Sequence, residues 1–166
     1  MNATTVFAYA RTHTAAFVSD KMRNLLKILI QYHKLDPTAL VDAWTSWVDR
    51  AARSWLESGD LTKIVIEFYR PGATVASARW DFPIRYDGNG VDEMWIDRTF
   101  LRDSFAKSTP PPAGCVYRIL LSHLPGAPHV NGTEHVEFLS LNGLVAREAG
   151  TVVATPDIMA SMTYYR

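Results

Sequence analysis

The stretch that decides the fold class is Thr62-Lys63-Ile64-Val65-Ile66-Glu67-Phe68-Tyr69, where the hydrophobic period changes from helical to alternating. Every second residue from Ile64 to Phe68 is apolar, which predicts a half-buried β-strand. Pro71-Gly72 is a turn signal, and residues 75–86 alternate again as the second strand of a hairpin. Pro83 has no N–H, so we expect a bend or an unpaired end at that point.

Upstream of this hairpin the sequence predicts two helices. Thr4 to Ala10 alternates weakly and predicts a short strand or an ordered arm, and a first helix follows from Thr12 or Thr14. Its apolar residues recur at helical spacing and form a broad stripe: Val18, Met22, Leu25, Leu29 and Tyr32, widened by Leu26, Ile28 and Ile30. The junction Leu35-Asp36-Pro37 begins the second helix, with Asp36 as N-cap, and Gly59 ends it. Its aromatic stripe (Trp44, Trp47, Trp55) is interpreted as core rather than as a ligand box.

Downstream, a third helix is predicted over residues 93–107, followed by a continuously apolar strand, Cys115 to Ser122. A connection rich in Gly and Pro runs from Leu124 to Thr133. Four short strands are then expected, with Asn142-Gly143 as a hairpin turn: His135 to Leu141, Leu144 to Glu148, Thr151 to Thr155 and Ile158 to Tyr165. The element order predicts one α+β domain, residues 1–166, in which an antiparallel sheet packs on three helices.

Charge and composition exclude several classes of protein. Lys and Arg total 17, as do Asp and Glu, so the chain of 166 residues has net charge +0 and no global field for nucleic acid or an anionic membrane. Hydrophobic residues make up 48%, typical of a folded domain. The longest apolar-rich stretch, Leu25 to Ile30, contains a lysine and is far shorter than a membrane span. With no secretory signal at the start, we expect a cytoplasmic protein.

No catalytic constellation is apparent in the sequence. His123, His129 and His135 are spaced by six residues, which matches no common metal-ligand pattern. Cys115 is the sole cysteine and is interpreted as a buried small hydrophobe, while the acidic residues at 92, 93 and 97 suit a helix N-terminus. We therefore expect no catalytic residue, metal or cofactor.

One segment carries a family resemblance. Residues Thr12-His13-Thr14-Ala15-Ala16-Phe17-Val18-Ser19-Asp20-Lys21-Met22 resemble the start of the first helix in bacterial HORMA-domain proteins, the signalling modules of CBASS anti-phage systems. The order of elements agrees over nearly the whole chain, including the Leu35-Asp36-Pro37 junction and the strand-rich tail. The resemblance implies a HORMA-like fold with an N-terminal arm (1–11), a core (12–123) and a C-terminal safety belt (124–166).

The resemblance also implies a function. HORMA proteins are non-enzymatic switches in which the safety belt wraps around a closure-motif peptide that adds to a sheet edge. In the bacterial systems the loaded protein activates a CD-NTase, which makes a cyclic-oligonucleotide messenger, and a AAA+ ATPase pulls on the N-terminus (here Met1 to Ala10) to reopen it. The peptide-binding strand would comprise Cys115, Val116, Tyr117, Arg118, Ile119, Leu120, Leu121 and Ser122. Safety-belt residues would include Val136, Phe138, Leu141, Leu144 and Val145.

The residues themselves are compatible with this function and with two alternatives. A strand edge binds peptides through its main chain, and the run from Val116 to Leu121 is apolar on both faces apart from Arg118. A small α+β enzyme or small-molecule binder could instead assemble a dispersed site from Tyr117, Arg118 and a loop histidine. A constitutive assembly subunit would use the same edge for fixed pairing only.

Overall fold

The architecture is a six-stranded sheet covered on one face by helices. The computed structural model describes residues 3–87, 95–96, 98–108 and 110–166. The helices are α1 (Ala3–Tyr32), α2 (Thr38–Ala43), which continues through a π-helical turn (Trp44–Val48) into α3 (Asp49–Ser58), and α4 (Arg98–Lys107). The strands are β1 (Leu61–Tyr69), β2 (Ala78–Arg85), β3 (Trp95–Ile96), β4 (Val116–His123), β5 (Ala146–Ala154) and β6 (Met159–Tyr165). They lie in the order β3-β5-β6-β2-β1-β4.

The predicted α+β class is confirmed, since the named strands pair antiparallel and one face of the sheet packs on helices. The helical layer consists of α1, the continuous helix from α2 to α3, and α4. Ile64, Ile66 and Phe68 of β1 are fully buried on this helix face, as their alternation predicted. The stripe of α1 packs against the same core. Ile28 and Tyr32, which were expected in that stripe, are instead 45% and 48% exposed.

Local signals set the helix boundaries between α1 and β1. The Asp36 carboxylate accepts hydrogen bonds from the Thr38 N–H at 2.9 Å and from the Thr38 hydroxyl at 2.7 Å. The N-cap of α2 is nevertheless Pro37, whose carbonyl accepts from the Val41 N–H, and not Asp36 as predicted, so the helix begins one residue later than expected. These bonds from Thr38 lower the pKa of the Asp36 carboxyl. Gly59 ends α3 with φ +80°, a left-handed conformation that suits glycine.

Five further predictions of local structure were wrong in whole or in part. Residues 4–10 form the first turns of α1 rather than a strand or arm, because the alanines in this segment favour helix and its weak alternation has no partner strand. Residues 95–96, expected in the third helix, pair with Val153 and Ala154 as β3, so that helix begins at Arg98. Residues 93, 94 and 97 of that prediction, and residues 88–90 of the predicted loop, lie outside the described residues.

The other three concern β2 and the tail. Pro83 does not end β2: Phe82 and Pro83 are unpaired on the β6 side, as a residue without an N–H favours, but the pairing with β1 includes Pro83 and the ladder with β6 resumes at Ile84 in the same register. Residues 135–141 form no strand apart from a single bridge between Ser140 and Val75, since this segment crosses the sheet instead of joining it. The two expected strands over 144–155 are one strand, β5, with register shifts near Gly150.

The chain after β4 passes from one edge of the sheet toward the other, and the candidate site lies where it leaves the first edge. β4 is an edge strand next to β1, whereas the β5–β6 hairpin pairs with β2 on the other side. The connecting residues 124–145, named here the crossing loop, must therefore pass from the β4 edge over the sheet. Among the described helices, none combines the length and apolarity needed to traverse a bilayer.

Candidate functional site

The strand β4 presents an open edge. One edge pairs with β1 over its whole length, from Tyr69↔Val116 to Leu61↔His123, and within the described residues no strand pairs with the other. In an antiparallel pair every second residue turns its N–H and C=O away from the partner strand. β4 therefore offers backbone donors and acceptors on its outward side, as a strand that receives a peptide must.

Side chains of β4 alternate between the two faces of the sheet. Tyr117 points to the helix face, where its hydroxyl donates to the Asp36 carbonyl at 2.6 Å and accepts from the Leu40 N–H at 3.1 Å. Burial raises the pKa of the Tyr117 hydroxyl, which keeps it protonated for this donation. Arg118 points to the opposite, outer face and pairs with Glu67. Because these neighbours face opposite sides, the dispersed site suggested for a small enzyme is not assembled.

The crossing loop begins on the helix side of β4. The Trp55 indole N–H donates to the Pro128 carbonyl at 2.8 Å, and Arg50 donates to the Asn131 carbonyl at 3.2 Å. Gly132 has φ +91°, and a Cβ there would lie 3.1 Å from a guanidinium nitrogen of Arg50. These contacts, named here the helix-side anchor, fix the first part of the loop against α3 and the π-helical turn.

The crossing loop then crosses the outer face. Glu67 is fully buried; one carboxylate oxygen accepts from Arg118 at 2.8 Å and the other accepts from the Leu139 N–H at 2.9 Å. Arg118 also donates to the Glu137 carbonyl at 2.8 Å. Two further backbone bonds join Ser140 to the residues before β2. These contacts are named here the outer-face anchor.

Phe138 covers a charged cluster on the outer face. Its ring lies 4.4 Å from the guanidinium carbon of Arg79 and 5.0 Å from the Lys63 ammonium. Arg79 and Lys63 both bind the Asp81 carboxylate, Arg79 through two bonds of 2.6 and 2.9 Å. Because two cations share one carboxylate, the cluster keeps a net positive charge, and the electron-rich face of the Phe138 ring packs favourably on it.

A groove of about 900 Å³ lies between β4 and the crossing loop. The loop leaves β4 at His123, runs back beside the strand and crosses it at Arg118, so the groove follows the length of the strand. Its lining comprises Trp47, Trp55, residues 118–123, Pro125, His129, residues 132–137 and Phe138. Both the strand edge and the inner side of the loop thus face one channel.

The structure brings about half of the sequence-predicted site residues to this groove. The predicted residues in its lining are Arg118, Ile119, Leu120, Leu121, Ser122, Val136 and Phe138. Cys115 is buried just before β4, as predicted, and Val116 and Tyr117 precede the lining. Leu141 and Leu144 are half-buried beyond the crossing point, and Val145 pairs with Arg166 through two backbone bonds.

Sequence reasoning missed three groups of site residues. Glu67 was treated only as part of an alternating strand, although an acidic residue in the middle of an apolar strand is itself a signal of a buried charge pair. Trp47 and Trp55 were assigned to the core; Trp55 is indeed buried, but both line the groove. His123, His129 and His135 also line it, and in the described part of the chain no set of histidine, cysteine and acidic side chains is grouped to hold a metal ion.

Comparisons with known proteins identify the class of this fold. The chain is similar to a chain of the mitotic checkpoint complex, at 8% identity and TM-score 0.71, covering 92% of this chain and 97% of that one. It is similar to C. elegans HTP-1 bound to the HIM-3 closure motif, at 11% identity and TM-score 0.67, covering 92% and 89%. For C. elegans HTP-2 bound to the HIM-3 closure motif the values are 14%, 0.62, 85% and 84%. The sheet, the helical layer and the tail that changes sides thus define a HORMA fold.

The family follows from the sequence itself. The family model described as Bacterial HORMA domain 2 matches residues 3–166. The chain therefore belongs to the bacterial HORMA domain family, as the resemblance in α1 predicted. No curated protein matches its sequence.

Proposed function

We propose that this protein is a non-enzymatic switch that captures a closure-motif peptide as an added strand on β4. The observation that carries the proposal is the open edge of β4 enclosed by the crossing loop, with a groove between them. A peptide in that groove would bond to the outward N–H and C=O groups of β4. The C. elegans relatives HTP-1 and HTP-2, each bound to a closure motif, support the same use of the fold.

Within this proposal, residues 124–166 act as the safety belt. The crossing loop covers the peptide, and the β5–β6 hairpin fixes the far end of the belt against β2. Because the loop is anchored on both faces of the sheet, it closes over the groove. A peptide segment inside a larger protein cannot reach β4 while both anchors are closed. One anchor must open for loading and close again to retain the peptide.

A peptide-based experiment tests the added strand without altering the protein. The full chain is used to select binders from a displayed library of random peptides of about 12 residues, long enough to span β4. Single N-methyl groups are then placed along the best binder. An added strand uses alternate peptide N–H groups, so methylation at every second position should abolish binding while methylation between them leaves it nearly unchanged. Uniform tolerance, or failure to select any binder, would contradict the proposal.

We further propose that the loaded protein activates a CD-NTase in a CBASS anti-phage system and acts in the cytoplasm. Membership in the bacterial HORMA family supports this role, and the lack of an assembled Tyr117–Arg118 site favours it over an enzymatic one. The proposal predicts a CD-NTase gene beside the gene for this chain. The test is synthesis of cyclic oligonucleotide by that enzyme, measured with the chain alone and with the chain plus peptide. Stimulation only by the loaded chain is expected, and equal synthesis in all samples would contradict the role.

Reset by a AAA+ ATPase acting on the N-terminal residues completes the proposal. Arg11 of α1 binds Asp157, in the turn between β5 and β6, at 2.8 Å, and both side chains are largely buried. Force on the start of α1 would therefore reach the belt hairpin directly. Deleting residues 1–8 should leave peptide binding intact but abolish ATP-dependent release, whereas release from the shortened chain would contradict this mechanism.

A further inference from the structure

The two walls of the peptide groove differ in chemistry. The helix-side wall is aromatic and apolar. Trp47 is half-buried beside Gly132, Trp55 also lines the groove, and the rings of His123 and Trp55 are in tilted contact with centroids 4.4 Å apart. Leu121, on the same face of β4, is also half-buried. This wall can accept one large apolar side chain from an added strand.

The wall formed by the crossing loop is anionic. Glu134 and Glu137 both line the groove, and the Glu137 side chain is 88% exposed. The cation in the lining, Arg118, is neutralised because it binds the buried Glu67 carboxylate and the Glu137 carbonyl. The Glu137 carboxylate also accepts a hydrogen bond from His135 Nε2 at 2.8 Å. No lysine or arginine in the lining is left to balance the formal negative charges of Glu134 and Glu137.

We infer that the closure motif of this protein combines a large apolar or aromatic side chain, which packs on Trp47 and Leu121, with a Lys or Arg that faces Glu134 and Glu137. The inference rests on the proposed peptide capture and specifies the class of peptide. The backbone of β4 supplies affinity for any extended peptide, so these two contacts supply the selectivity. A motif with acidic residues in place of the basic one would bring like charges together in the groove.

The peptides selected on the full chain test this inference. Binders should be enriched in Phe, Trp, Tyr or Leu together with Lys or Arg, and depleted in Asp and Glu. The best binder is then compared with its Lys→Gln and aromatic→Ala forms by fluorescence anisotropy. Each peptide is measured on the natural chain, on Trp47→Ala, and on the double variant Glu134→Gln/Glu137→Gln.

The expected result is a pair of specific losses. Trp47→Ala should weaken the aromatic peptide about thirtyfold and its Ala form much less, because Trp47 acts as an anchor for that side chain. The double glutamine variant should weaken the Lys peptide about fivefold and should no longer distinguish it from the Gln form. As a matched control, Glu57→Gln/Glu148→Gln removes two exposed carboxylates outside the groove and should change neither affinity.

The possible failures are distinguishable. Binders that show the alternating N-methyl pattern but no preference for basic residues, and that bind the double glutamine variant equally well, would overturn this inference and leave the proposed function intact. Loss of the N-methyl pattern itself would contradict the proposed function. Equal loss with the control variant would assign the effect to overall charge rather than to the groove and would also overturn the inference.

Discussion

The two anchors of the crossing loop use different physics. On the outer face, a fully buried carboxylate, Glu67, holds both Arg118 and the loop backbone at Leu139. On the helix side, Trp55 and Arg50 each donate one hydrogen bond to a backbone carbonyl of the loop. Gly132 also packs closely against Trp47 and Arg50. Breaking one partner of a buried charge pair costs far more than losing a single hydrogen bond.

This difference indicates which end of the loop opens first. The helix-side anchor can exchange its bonds with water at a cost of about 1 kcal/mol each. If the outer-face anchor opened, Glu67 would lose the Leu139 N–H and Arg118 would lose the Glu137 carbonyl, together with the two backbone bonds of Ser140, and the bonds to charged groups are the stronger ones. We therefore expect residues 124–133 to lift away first while the outer-face anchor remains as the hinge.

The largest effect is expected from Arg118→Met. It removes the cation from Glu67 and should destabilise the fold by about 3–5 kcal/mol, measured by urea unfolding. Adding Glu67→Gln removes the buried charge as well, so the double variant should recover part of the loss. If Arg118→Met costs no more than a surface substitution, the outer-face anchor is not the stronger one.

Gly132→Ala should have an intermediate effect, because φ is +91° and the new Cβ would press on Arg50. We expect the free energy that favours the closed loop to fall by more than about 1 kcal/mol, and the free energy of global unfolding to change less. Limited proteolysis within residues 124–133 should accelerate, while cleavage near residue 140 stays slow. Equal acceleration at both ends would contradict a hinge at the outer-face anchor.

His33 belongs to neither anchor, so its titration shows how global stability changes with pH when the anchors are unaltered. His33 is buried between Tyr32 and Phe68 with neither ring nitrogen hydrogen-bonded, and burial lowers its pKa from the ordinary 6.5. The unfolded chain thus binds the proton more readily, so stability is present above pH 6.5 and is lost as the pH falls below it.

Replacing His33 by Leu removes this titration. Between about pH 7.5 and pH 5.5 the natural chain should lose more unfolding free energy than His33→Leu. Proteolysis of the crossing loop should differ little between the two chains at either pH. A pH dependence that persists in His33→Leu would place the titrating group elsewhere.

The smallest effect is expected from Arg50→Ala, which removes one exposed bond to the Asn131 carbonyl. A cost of about 0.5 kcal/mol is expected, and only in the local opening of residues 124–133. Hydrogen exchange of this segment is the measurement, with Arg53→Ala, an exposed arginine that pairs within α3, as control. If Arg50→Ala slows exchange, the contact does not hold the loop.

The sequence allowed the fold to be predicted where the signals are local. The alternation in β1 and the Gly59 stop each depend on a few neighbouring residues, and both predictions were confirmed. Residues 135–141 alternate in the same way yet form no strand, because their apolar side chains face a groove and a charged cluster rather than a sheet partner. The periodicity of apolar residues predicts which side chains are buried, but it does not predict which part of the molecule buries them.

Much of the site was not predictable from the sequence because it depends on long-range contacts. The bond from Trp55 to Pro128 and the pairing of Arg118 with Glu67 join residues far apart in the chain. The three-residue spacing of Trp44 and Trp47 suggested one core stripe, but Trp47 is only half-buried and lines the groove. The family resemblance predicted β4 as the receiving strand, and only the structure shows the groove beside it.

Hydrogen exchange of the backbone amides, with and without the selected peptide, tests the central claim most directly. Peptide capture predicts that the outward amides of residues 116–122 exchange at least about tenfold more slowly in the complex, together with amides of residues 132–139 in the closed loop. A bound peptide that leaves β4 exchange unchanged, or that protects the β3 edge instead, would contradict it.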